Sequence, residues 1–213
     1  MTPIVIAESA KWIVVAKPPG GRSVPGRVGG RGPVGVLSEW VKANFAGALV
    51  VHRLDVETSG VVLFARTEDA HRLASGWFQS HLMKKEYVLL AEGEAKQPVF
   101  KVDKPVDGAR SVTQIEVIEQ YNSAFLGCAT PLTGRRHQIR IHLASKGHPI
   151  LGDIRYGGRD ELVTVAHVSR VALHAAKLTL PTGERFEARW PDDFALWVSV
   201  LRKNHSCKDV NDG

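Results

Sequence analysis

Two antiparallel hairpin patterns narrow the fold of this chain more than any other feature. Residues 108–118 and 124–129 read as strands joined by the polar turn Gln120-Tyr121-Asn122-Ser123. Residues 171–180 and 184–190 read as a second pair around Pro181-Thr182-Gly183. Short β-prone runs bounded by turn residues pair with their sequence neighbours. A regular alternation of parallel strands and crossover helices has no room for two such pairs. The expected class is therefore α+β, with a mixed, largely antiparallel central sheet flanked by helices and loops.

The remaining segments fit that frame. Trp12-Ile13-Val14-Val15-Ala16 is a β-branched run ended by the breaker Lys17-Pro18-Pro19-Gly20. Val36, Leu37, Trp40, Val41 and Phe45 fit one face of a helix, and 48–51 is extended. Val61-Val62-Leu63-Phe64-Ala65 is a further strand. Thr67 is placed to cap a helix whose apolar positions are Ala70, Leu73, Ala74, Trp77, Phe78 and Leu82. That spacing assigns Trp77 and Phe78 to the core and not to a base-stacking surface. Residues 86–92 are strand-like, 136–145 read as a helix closed by Gly147, and 193–201 as a last short helix. One domain over 1–202 is expected, followed by a frayed polar tail over 203–213.

With 44% hydrophobic residues the chain can bury a substantial core, and its formal charge of +6 favours an anionic partner. Two cysteines without metal-ligand spacing exclude a disulfide framework and point to a reducing compartment. No window reaches the roughly 18 apolar residues of a membrane span, and no leader pattern opens the chain, so a soluble cytoplasmic protein is expected.

Two motifs carry the chemistry. The first is His52-Arg53-Leu54-Asp55-Val56-Glu57-Thr58-Ser59-Gly60. It sets a carboxylate in a turn, with Thr58, Ser59 and Gly60 able to donate hydrogen bonds to it and an apolar strand behind it as anchor. The second is Thr133-Gly134-Arg135-Arg136-His137-Gln138-Ile139-Arg140-Ile141-His142. On a helix, Arg136 and Arg140 share one face, and Gln138 and His142 another. Two guanidinium groups on one face repel unless an anion is near, a carboxylate such as Asp55, a phosphate, or both; the plainer alternative is a basic surface helix. Histidines five residues apart, without an acidic or cysteine partner, exclude a zinc site. Between 20 and 35 the chain is rich in Gly, Pro and Arg: a solvated loop or a basic arm that touches the phosphates of an anionic partner.

These motifs resemble those of RluA-type RNA pseudouridine synthases, which read HRLD-x-x-TSG and TGR-x-HQ(I/L)R-x-H at these points. The resemblance continues through Lys17-Pro18-Pro19-Gly20, Lys85-Glu86-Tyr87, Gly147-His148-Pro149-Ile150-Leu151-Gly152-Asp153-Ile154-Arg155-Tyr156 and Leu173-His174-Ala175. It covers roughly residues 4–195. Leu180-Pro181 stands where the family has His-Pro, and His52 stands where the related RsuA type usually has Gly. No S4 RNA-binding domain is expected ahead of the first strand.

The resemblance implies an enzyme that isomerises uridine in structured RNA, ribosomal or transfer RNA, to pseudouridine, with no cofactor and no metal. Asp55 would attack C1′ or take the C2′ proton. Arg140 would pair with Asp55, and Tyr87 would stack on the uracil and assist removal of the C5 proton. Leu173 would form an apolar wall and Arg53 would contact the RNA beside the flipped base. Thr58, Lys85, Arg136, His137 and Gln138 complete the expected substrate contacts. Lys17, Arg22, Arg27, Arg31, Lys84 and Arg135 join Lys85 and Arg136 as candidate phosphate contacts. The expected partner is an RNA stem-loop, bound by a monomer. Two other readings stand beside this one: an RNA-binding or RNA-folding protein on the same scaffold without activity, and an N-glycosidic hydrolase, for which Glu57 is the one carboxylate close to Asp55 in sequence.

Overall fold

The computed structural model describes residues 2–25, 35–158 and 167–206. Its strands are β1 (Ile4–Glu8), β2 (Trp12–Lys17), β3 (Leu49–Val50), β4 (Ser59–Ala65), β5 (Lys84–Glu92), β6 (Val99–Asp103), β7 (Val112–Gln120), β8 (Ala124–Pro131), β9 (Leu173–Thr179) and β10 (Arg185–Glu187). The described helices are α1 (Leu37–Asn44), α2 (Glu68–Gln79), α3 (Gln138–Ser145) and α4 (Asp192–Ser206). The class is α+β, and antiparallel ladders dominate it. No described helix is long and apolar enough to cross a membrane. The chain divides into two compact units, 1–85 with 175–189 and 86–174 with 190–213.

The first unit orders its strands β1-β2-β4-β9, with β3 on β4 and β10 on β9. All seven residues of β4 are buried, so the continuous apolar run 61–65 reflects a strand covered on both faces. Trp12, Val14, Val61, Leu63 and Ala65 alternate onto one face, which packs with Ala70 and Ala74 of α2. Trp77 and Phe78 pack against the same cluster, as their spacing required. Thr67 does cap α2, accepting from the Ala70 N–H at 3.1 Å. The buried stripe of α2 is narrower than the periodicity suggested. Leu73 is 42% exposed, and Leu82 lies past the helix end at 58%.

The second unit orders β5-β8-β7-β6. The 120–123 turn joins β7 and β8 as expected, but β6 has no clear sequence signature. Val99 and Phe100 are its only large apolar residues besides Val102, and an edge strand has half its surface in water. β7 starts at Val112 and not at 108, where Gly108 and Asp107 take left-handed conformations. Helix α3 starts two residues later than the sequence suggested because His137 is left-handed at φ 55°. Arg136 therefore lies off the helix, and the shared face expected for Arg136 and Arg140 does not form. Gln138 and His142 do share a face: both bond the Thr113 hydroxyl. Gly147 closes α3 at φ 80°. α4 runs to Ser206, so the first residues of the expected tail are helical, and the tail beyond lies outside the described residues.

Candidate active site

In the first unit the segment around Asp55 is an irregular loop held at several backbone points. Arg53 is exposed, Leu54 buried and Asp55 half-buried. The Ser23 hydroxyl accepts from the Leu54 N–H at 2.9 Å and donates to the Leu54 carbonyl at 2.8 Å. On the other side of Asp55, the Val56 carbonyl accepts from Lys17 Nζ at 3.0 Å and from the Gly20 N–H at 2.9 Å. The same ammonium donates to the carbonyls of Pro18 and Gly21. Lys17 is 1% exposed, so it is not a phosphate contact. It is a buried cation that ties the 18–21 turn to the Asp55 loop. A desolvated charge of this kind is stable only with such partners.

The Thr58-Ser59-Gly60 end is anchored by packing. Thr58 N–H donates to the Asp55 backbone carbonyl at 3.2 Å, forming the turn, and Thr58 and Ser59 are buried. Gly60 has φ 123°, and a Cβ there would lie 2.2 Å from the Ala175 carbonyl oxygen of β9. Only glycine admits that approach. The expected turn thus exists, and backbone contact at Gly60 fastens it to the sheet.

His52 begins the loop. Its Nε2 accepts the Leu63 N–H at 3.0 Å, and its ring stacks on Phe78 with centroids 4.5 Å apart. Burial, with the nearby Lys85 charge adding to it, lowers the imidazole pKa to about 3, so His52 is neutral. Burial also lowers the Lys85 ammonium pKa to about 8. Lys84, its neighbour, is exposed. Arg22 lies in the described part of the basic loop, where its N–H donates to the Gly35 carbonyl. Arg27 and Arg31 fall outside the described residues.

In the second unit a different cluster forms around Arg140, which is 4% exposed. Its Nε and Nη2 both donate to Asp153, each at 2.7 Å, in a two-pronged ion pair. The guanidinium also lies 5.1 Å from the Tyr156 ring centroid, and the Tyr156 hydroxyl meets His137 Nδ1 at 2.9 Å. Neither Asp153 nor Tyr156 was among the expected functional residues. The signal was present in the Gly152-Asp153 step of the quoted motif. A Cβ at Gly152 would lie 2.2 Å from the Arg170 carbonyl oxygen, which fixes the backbone next to Asp153.

The same stretch is interlocked with β5 and with the lead-in to β9. Leu151 N–H donates to Leu90, Leu90 N–H to Ala172, and Ala172 N–H to Leu151. Tyr87, half-buried on β5 opposite Ala129, and Leu173, 3% exposed, are on the segments so joined. This unit thus brings the segments of Arg140, Tyr87 and Leu173 together through residues 150–153.

Gln138 has a different part from the one expected. Its Oε1 accepts from the Thr133 hydroxyl and the Arg135 N–H, and its Nε2 donates to the Val112 carbonyl and Thr113 hydroxyl. All four hydrogen-bonding positions of the amide are filled by protein, so it holds the 131–135 loop in place of a substrate contact. Arg135 and Arg136 remain exposed on that loop.

Comparison with known proteins agrees with the motifs. Residues 11–145 match the family model described as RNA pseudouridylate synthase. The chain is 38% identical over 178 residues to ribosomal large subunit pseudouridine synthase C of Salmonella typhimurium, covering 72% of this chain and 56% of that protein. It is 34% identical over 182 residues to the protein of that name from Yersinia pestis, covering 75% and 57%. The chain therefore spans about half the length of the curated relatives it matches. Human RNA pseudouridylate synthase domain containing 4 has the same fold, with a TM-score of 0.78 at 21% identity over 93% of each chain. With the family model covering well over half of its residues, this chain belongs to the RNA pseudouridylate synthase family, in its RluA-type branch.

Proposed function

We propose that this protein converts uridine in RNA to pseudouridine. The observation that carries the reading is Asp55. It stands in the middle of the family motif, on a loop whose backbone is pinned one residue to either side. A reacting carboxylate needs that fixity, because small displacements from the attack geometry cost orders of magnitude in rate. The reaction breaks the N1–C1′ bond, rotates the uracil and rejoins it through C5. N1 gains a proton and C5 loses one, so no redox partner is required.

In this reading Asp55 acts at the ribose, and Arg140, whose guanidinium Asp153 and Tyr156 aim, is the second charged group of the reaction. Tyr87 stacks on the base, Leu173 walls it, and Arg53 contacts the RNA from its exposed position. Lys85, Arg135, Arg136 and His137 contact the RNA around the site, while Thr58 shapes the turn. The base must leave its stack to reach Asp55, at a cost of a few kcal/mol. The names of the relatives favour ribosomal RNA of the large subunit as substrate. Transfer RNA is the second target class, and the cytoplasm the place of action.

Transcripts of ribosomal and transfer RNA carrying 5-tritiated uridine test the proposal. Release of tritium to water by the wild type is expected, abolished in Asp55→Asn while RNA binding persists. Full release by Asp55→Asn would overturn the role given to Asp55. Free uracil as product would replace isomerisation with glycosidic hydrolysis.

A further inference from the structure

We infer that His52 is a positioning residue for Asp55: its ring stands in for the next residue of β3 and thereby peels the chain away from β4 where the Asp55 loop begins. This inference rests on the reading of Asp55 as the reacting carboxylate.

The register shows where the ladder stops. β3 pairs Leu49 with Ala65 and Val50 with Phe64, so continuation would set Val51 against Leu63. β4 itself runs on, paired with β2 through Leu63, Val62, Val61 and Gly60. β3 nevertheless ends at Val50. Leu63 is fully buried, and a buried N–H left without an acceptor is destabilising. His52 Nε2 supplies that acceptor at 3.0 Å. A side chain reaches the β4 edge from farther out than a backbone carbonyl does. The bond therefore satisfies Leu63 while leaving residues 53–58 free to form a loop.

The ring is itself fixed. Phe78 of α2 stacks on it with an interplanar angle of 24°. The Leu63 bond requires the neutral ring with its proton on Nδ1, because an imidazolium would turn an N–H toward an N–H. The bond also bridges 11 positions in sequence and closes the segment that contains Asp55 and Thr58-Ser59-Gly60. With Ser23 on Leu54 and Lys17 on Val56, it gives the loop a third anchor at its entry.

The test compares His52→Leu with His52→Gln, whose Oε1 can accept the Leu63 N–H. With tritiated ribosomal RNA transcripts, His52→Leu should lower kcat by about 10–100-fold with KM within about twofold, the signature of a misplaced reacting group. His52→Gln should recover kcat to within about threefold of wild type. Without any substrate, hydrogen exchange at the Leu63 amide should be slow in wild type and His52→Gln and fast in His52→Leu. Wild-type kcat in His52→Leu would overturn the inference, as would equal loss of kcat in both variants. Nitrogen NMR of the wild type keeps the question open to refutation should His52→Leu not fold. The expected result is an acceptor-type Nε2 coupled to the Leu63 amide, and a donor-type Nε2 would sink the idea. Absence of tritium release from the wild type would remove the reading of Asp55, whereas the exchange and NMR arms report on His52 alone.

Discussion

Replacing Gly60 by alanine should destabilise the fold by about 2–5 kcal/mol, from two separable causes. The first is conformational. Gly60 has φ 123°, and an L residue with positive φ costs about 1–2 kcal/mol. The second is steric. The added Cβ would lie 2.2 Å from the Ala175 carbonyl oxygen and 2.7 Å from its carbonyl carbon and amide nitrogen. Ordinary contact is above 3 Å and both partners are backbone, so no rotamer relieves the overlap. β4 must move from β9, an overpacking cost of about 1–3 kcal/mol. Gly183 is the control, with φ 93° and nothing within 4 Å of its built Cβ. Gly183→Ala should show the first cost alone. Urea unfolding, with a slope of about 3 kcal/mol/M, should place the Gly60→Ala midpoint roughly 1 M below wild type. It should also fall clearly below that of Gly183→Ala. Because Ser59 and Gly60 anchor the Asp55 loop, Gly60→Ala should also lose activity while Gly183→Ala keeps it. Equal midpoints for the two variants would refute the close-approach argument.

Further outcomes follow from the same geometry. Asp153→Ala leaves the buried Arg140 guanidinium without its two-pronged partner and should destabilise the protein by about 3–5 kcal/mol, read by chemical unfolding. The His52 pKa is lowered from 6.5 to about 3, so the unfolded chain takes up this proton first as pH falls. Above pH 6.5 the neutral ring carries no penalty; below it this site should remove about 1.4 kcal/mol of stability per pH unit, or about 2 kcal/mol by pH 5. The pH dependence of unfolding free energy in wild type against His52→Gln isolates that slope, and parallel curves would contradict it. Arg136→Ala should reduce the slope of log binding constant against log salt for an RNA stem-loop by about 1, with no loss of fold stability.

The elements legible in the sequence were those with strong local rules. The run 61–65, the capped periodic helix after Thr67 and the turn at 120–123 each carry their own signal. The expected site residues Asp55, Tyr87, Arg140 and Leu173 came from motifs. They were not legible through composition, because a turn aspartate and a strand tyrosine look like any others. The late start of α3 escaped the sequence because a left-handed His137 interrupts a pattern that is otherwise helical. Lys17 escaped it because a lysine beside Pro and Gly reads as solvated, and nothing local says that three carbonyls converge on its ammonium.

The sequence by itself determined the class of fold and the family, since these depend on periodicity and on motifs of fixed spacing. The tertiary structure decided which charges are tools and which are fasteners. Lys17 and Asp153 became internal partners of the loop and of Arg140, Gln138 became a filled amide, and His52 became the acceptor for a strand N–H. Each of those roles is set by desolvation and by partners up to 39 positions away in the chain. Burial and long-range pairing arise only when the chain closes on itself, and no window of residues contains them.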